Sequence, residues 1–111
     1  MKQKKTGGEM NFDVNERLKN IVGKICDISE AFYKNGDQIE SAATNHVAVT
    51  LDQLLEESAF RKPNVVTNPE MKLELVLQLI TELIETVEDE IKLRVLVNAR
   101  NSLQSIYKLY S

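Results

Sequence analysis

A chain of 111 residues, 42% apolar and 28% charged, has material for one hydrophobic core and not for two. Its net charge of −3 argues against a dedicated nucleic-acid binder, whose affinity rests on neutralising phosphates. A single cysteine, Cys26, excludes an internal disulfide and any zinc site built from several thiolates.

A reducing, cytoplasmic setting is therefore expected. No apolar run approaches the roughly 18–20 residues that span a bilayer. The basic start "MKQKK" is not followed by the hydrophobic stretch of a secretory leader, so none is expected.

Residues 1–12 read as a flexible polar tail, and 13–111 as one helical domain. Asp13 with Glu16 three positions on has the spacing of a capping box and opens the first helix. Val14, Leu18, Ile21, Val22, Ile25, Ile28 and Phe32 follow at helical intervals and fill a stripe about 120° wide, the core face of an amphipathic helix. "KNG" at 34–36 ends it, because Gly36 can take the left-handed conformation that closes a helix.

Asp37 with Glu40 repeats the box spacing at once, so a tight antiparallel hairpin is predicted. The second helix can run to about Phe60, with a break allowed near 48–50 because Thr50 and Gln53 have cap spacing. "RKPNVVTNP" is a connection, and Asn68 followed by Pro69 is a start signal for the next helix.

From Glu70 to Tyr110 neither glycine nor proline intervenes. One apolar stripe, Leu73, Leu77, Ile80, Ile84, Val87, Ile91, Val95, Ala99, Leu103, Ile106 and Tyr110, runs through the whole segment at about 3.7 residues per step. That continuity suits a single long helix. Length matching suits a turn near "TVEDE", with Thr86 or Asp89 as cap, giving segments of about 20 residues like the first two. The expected fold is all-α, an antiparallel four-helix bundle. The alternative is a helical hairpin plus one long C-terminal helix forming a dimeric bundle.

No constellation of catalytic groups is evident, and no cofactor, metal or small-molecule substrate is inferred. The acids Glu82, Glu85, Glu88, Asp89 and Glu90 lack the Glu-x-x-His pairs of bundle metal sites and read as a solvated face. Leu51–Leu55 fits the LxxLL pattern of groove-binding helices, but a leucine core face produces the same spacing. Cys26 lies at the core boundary with little to activate it.

His46 is the only histidine. With the second helix phased on Ile39, His46 and Thr50 both fall within the core stripe, one turn apart, and read as a polar core pair. "HVAVT" shares its first and fifth residues with the phosphoacceptor box of histidine kinases, and phosphotransfer domains are also small helical bundles. The resemblance ends there. Val47 stands where those kinases carry an acid, Val49 and Thr50 stand where phosphotransfer domains carry Lys-Gly, and an inward imidazole would be out of reach.

Leu75 and Leu79, and Leu93, Leu96 and Val97, lie partly outside the main stripe and make the C-terminal helices apolar around most of their girth. Such surface needs a cover, so these five are the expected interface residues. The function expected is that of a small non-enzymatic helical protein acting through protein–protein interaction, a regulator or inhibitor of its partner, as a homodimer, with another protein, or both. One alternative is a nucleic-acid-associated regulator using Lys2, Lys4 and Lys5 with Arg94, Arg100 and Lys108; the other is a histidine phosphotransfer protein.

Overall fold

The computed structural model describes residues 12–55 and 68–109. They form four helices: α1 (Phe12–Lys34), α2 (Gln38–Asp52), α3 (Pro69–Thr86) and α4 (Glu90–Tyr107). Each helix packs on its chain neighbours, and α1 closes the ring against α4. The diagonal pairs do not meet, the arrangement of an antiparallel four-helix bundle. No described helix is long and apolar enough to cross a membrane.

Local chemistry sets the helix ends. At the α1–α2 turn Gly36 has φ of 87°, which a side chain would disfavour. The Asp37 amide donates to the Phe32 carbonyl at 2.9 Å and the Gly36 amide to the Tyr33 carbonyl at 3.1 Å. This pair of bonds is a Schellman closure. Asp37 then takes the cap position of α2 without making a side-chain cap bond, because its carboxylate accepts from the Asn35 amide at 2.9 Å. The expected box is present in spacing and absent in bonding.

Asn68 caps α3 as its sequence implies, accepting from the Met71 amide at 3.1 Å with Pro69 in the first turn. α1 begins at Phe12, so Asp13 lies in its first turn and not before it. The rest of the expected tail lies outside the described residues. α2 runs without interruption through 48–50, ends at Asp52 and leads into a turn; the part of the expected helix beyond residue 55 is likewise outside them.

The fork after Glu70 resolves as two helices. Asp89 accepts from the Ile91 amide at 2.9 Å and the Lys92 amide at 3.1 Å, capping α4. Lys92 Nζ sits 3.0 Å from the second Asp89 oxygen and 5.3 Å from the centre of the Phe32 ring. One lysine thus ties the α3–α4 turn to the end of α1, through an ion pair and a cation–π contact. Thr86 does not cap α4; its hydroxyl donates back to the Leu83 carbonyl at 3.2 Å.

The core is aliphatic. Leu18, Ile25, Leu51, Leu73, Ile80, Leu96, Leu103 and Ile106 are fully enclosed. The apparent stripe through 73–110 does not survive the turn. Leu77 and Ile84 are only half-buried, and Ile91 is 75% exposed. The buried faces keep Leu73, Ile80, Ala99, Leu103 and Ile106 of that stripe and add Val76 and Leu83 on α3 and Leu96 on α4. The two helices therefore bury separate faces, phased independently.

α1 and α2 form the most extensive pair. Ser29 Oγ donates to the Ser41 carbonyl at 2.9 Å, and Ser41 Oγ donates to the Ser29 carbonyl at 3.1 Å. These reciprocal bonds need small residues on both helices, since a larger side chain at either would hold the backbones apart. At the other seams, Lys72 Nζ donates to Gln53 Oε1 at 2.8 Å between α3 and the end of α2, and Tyr107 Oη donates to Glu74 Oε1 at 3.1 Å between α4 and α3.

Two predictions follow from this architecture. The Lys92 ammonium, with the two backbone amides, holds the Asp89 carboxyl below the usual carboxylate range. A depressed carboxyl stabilises the fold above its unfolded-state pKa, and that contribution vanishes as pH falls through the folded-state value. Asp89→Ala should therefore lower the melting temperature at pH 7, with the deficit shrinking toward pH 2 in a calorimetric series. Gly23 lies inside α1 where an added Cβ would meet nothing within 4 Å. Gly23→Ala should raise stability by about 1 kcal/mol in urea unfolding.

Candidate interaction surface

The thinnest contact in the ring is the seam between α1 and α4. It leaves a groove of about 340 Å³ lined by Arg17, Asn20, Ile21, Lys24, Val95, Asn98, Ala99 and Ser102. Ile21, Val95 and Ala99 supply an apolar floor. Arg17 and Lys24, two turns apart on α1, supply its charge, and no carboxylate among the described residues lines it. Arg17 Nη2 donates to Ser102 Oγ at 3.3 Å and to the Ser102 carbonyl at 3.5 Å, which fixes the guanidinium at one end. Ile91 precedes Val95 by one turn on the same face of α4, so its exposed side chain extends the apolar strip beyond the groove.

α3 presents the second distinctive surface. Met71, Glu74, Leu75, Gln78, Glu82 and Glu85 share an outer stripe about 100° wide, opposite the buried face. Met71 is 65% exposed and Leu75 42% exposed. All six are exposed, and no cation lies among them.

The expected interface residues divide. Leu75 is exposed; Leu79, Leu93 and Val97 are half-buried, with Leu79 and Leu93 packed against the core. Leu96 is fully enclosed and unavailable to a partner. It belongs to the inner face of α4, which the stripe drawn through Ile91 and Val95 misplaced.

The expected polar core pair also separates. Thr50 is buried, but His46 is exposed, because the inner face of α2 centres on Thr44, Val47, Ala48 and Leu51. Phasing on Ile39, which is itself 82% exposed, rotates the predicted face by roughly 80° from the observed one. An inward imidazole therefore no longer counts against phosphotransfer. The missing flanking residues still do.

Leu51, Leu54 and Leu55 are all buried, so the LxxLL spacing is core. Among the described residues no group of three or more His, Cys, Asp or Glu side chains is placed to hold a metal ion. Of the C-terminal cations, Arg94 and Lys108 are exposed while Arg100 is half-buried with an enclosed, unpartnered Nε. They do not make one continuous basic face.

A further hollow joins the two hairpin turns, lined by Asn35, Asp37, Glu40, Glu88, Asp89 and Lys92 among others. Its polar groups are largely committed to the turns themselves. Cys26 is exposed, and partial burial of its sulfur, with the negative charges of Asp27 and Asp52, pushes its thiol pKa up. Such a thiol stays protonated at neutral pH.

Sequence reading missed the α1–α4 groove because it depends on which of the four seams is thinnest, and no local pattern encodes that. The usable signal was the 91–95–98–102 spacing, two apolar residues and two polar ones on a single face. Comparison with known proteins brings no match: no family model, no curated protein and no solved structure matches this chain.

The thiol environment gives a further prediction. Asp27→Asn removes one of the charges that raise the Cys26 pKa, so iodoacetamide should alkylate Cys26 faster in this variant at pH 8. An unchanged rate would show that Asp27 does not act on the thiol.

Proposed function

We propose that this chain is a non-enzymatic, cytoplasmic helical interaction protein that regulates or inhibits a partner protein by holding one of the partner's helices in the α1–α4 groove. The observation that carries this reading is the exposed Ile91 in line with a groove whose floor is apolar and whose rim is polar. Apolar surface left open beside a concave, hydrogen-bonding rim is the form of a helix-in-groove receptor. The floor supplies burial; Asn20, Asn98 and Ser102 supply donors and acceptors at the edge, and Arg17 and Lys24 select for negative charge.

The reading moves the contact residues from those expected from sequence. Exposed Ile91 and half-buried Val95 replace Leu96, while Leu75 with Met71 remains as a second exposed apolar site. Ile91→Asp should leave the helical content unchanged, because the side chain lies outside the core. The test is affinity capture from the source cell. A protein retained by the wild type should fall about tenfold or more with Ile91→Asp, as for an anchoring contact residue, and be unaffected by Ile39→Asp on α2, the helix that α4 does not touch. Equal retention by wild type and Ile91→Asp would refute the groove as the binding surface.

A further inference from the structure

We propose that the α1–α4 groove receives the outer stripe of α3 from a second copy of this chain, giving a head-to-tail contact between subunits. This rests on the reading of the groove as the docking surface and names its occupant. Among the described residues the groove carries Arg17 and Lys24 and no carboxylate, although the chain as a whole is acidic. The α3 stripe carries Glu74, Glu82 and Glu85 with no cation, around the exposed Met71 and Leu75. Opposite charges are thus segregated onto two different faces, each with apolar surface at its centre.

The spacings agree. Arg17 and Lys24 are seven residues apart along α1, about 10.5 Å, and Glu74 and Glu82 are eight apart along α3, about 12 Å. A single placement can therefore pair both charges while Leu75 and Gln78, which lie between the two acids, cover the floor. Arg17 and Lys24 take part in none of the ion pairs among the described residues, which are Lys19–Glu16, Lys34–Glu30 and Lys92–Asp89. Docking would break no ion pair, and Glu74, which accepts from Tyr107 Oη through Oε1, keeps its other oxygen for the contact.

The two surfaces belong to different helices, and α3 does not touch α1. The groove opens outward between α1 and α4 while the stripe faces outward from α3, the helix diagonal to α1, so one neighbour cannot engage both. The contact is heterologous, and an open assembly keeps one free groove at one end and one free stripe at the other, so growth continues past two unless a ring closes.

Sedimentation velocity on the full chain tests this with two variants, each lacking one surface. Arg17→Glu with Lys24→Glu removes the groove; Leu75→Gln with Glu82→Gln removes the stripe. In about 50 mM salt the wild type should grow beyond a dimer with rising concentration and dissociate in about 500 mM salt, where surface charges are screened. Each variant alone should be a monomer. Mixed in equal amounts they should form a 1:1 dimer and nothing larger, since only one stripe and one groove remain between them. Lys24→Glu alone, at an exposed position, carries the test if the double groove variant fails to fold, and should weaken association about tenfold.

A wild type that stays monomeric throughout, or a closed dimer that either variant leaves intact, would overturn the proposal. So would retardation of duplex DNA by the wild type that only the groove variant abolishes, which would make the groove a nucleic-acid surface. The groove reading itself fails separately, when captured protein is indifferent to Ile91→Asp.

Discussion

The bundle depends on the chain reversing at Val87–Asp89. Apolar residues recur through this point at nearly the helical period, so periodicity alone would permit a rod. Asp89 decides otherwise. Its carboxylate satisfies two amides at the start of α4 that an isolated helix end would leave open, and its second oxygen engages Lys92. Lys92 in turn lies over Phe32, which anchors the turn to α1. With the reversal fixed, α3 and α4 present two separate inner faces to α1 and α2, and the four-sided core can close.

Features encoded within a few residues were legible in the sequence. Gly36 acts through its own backbone and Asn68–Pro69 through a side-chain cap and a fixed φ, and both ends are where sequence places them. The stripe of α1 was legible because Leu18, Ile21, Ile25, Ile28 and Phe32 leave a single choice of inner face. α2 offered no such choice. It buries Thr44 and Thr50 and exposes Ile39, so residue polarity points to the wrong side. Thr44 tolerates burial because its hydroxyl donates to the carbonyls of Glu40 and Ser41, at 2.8 and 3.0 Å. That internal satisfaction is invisible to hydropathy, and His46 was misplaced with the rest of the face.

The candidate surface was less legible still, for a different reason. Excess apolar girth in α3 and α4 was real, yet its amount was overstated, because α3 and α4 cover much of each other. Leu79 and Leu93 pack against the core and Leu96 joins it. What remains open is set by the unequal seams of the ring. The α1–α2 side is drawn tight by the Ser29–Ser41 exchange, and the thinner α1–α4 side closes through Arg17 on Ser102 and, at the turn end, Lys92 over Phe32.

This inequality has a dynamic consequence. Native proteins open in cooperative pieces, and the pieces part where the fewest interactions hold them. Here the first opening is expected to free α4 from α1 while the serine exchange keeps α1 and α2 together. Amides along the outer edge of α4 then trade their hydrogens with solvent before those lining the α1–α2 contact. The bundle should open along one edge, as a book does, with the α1–α2 hairpin as its stiff cover.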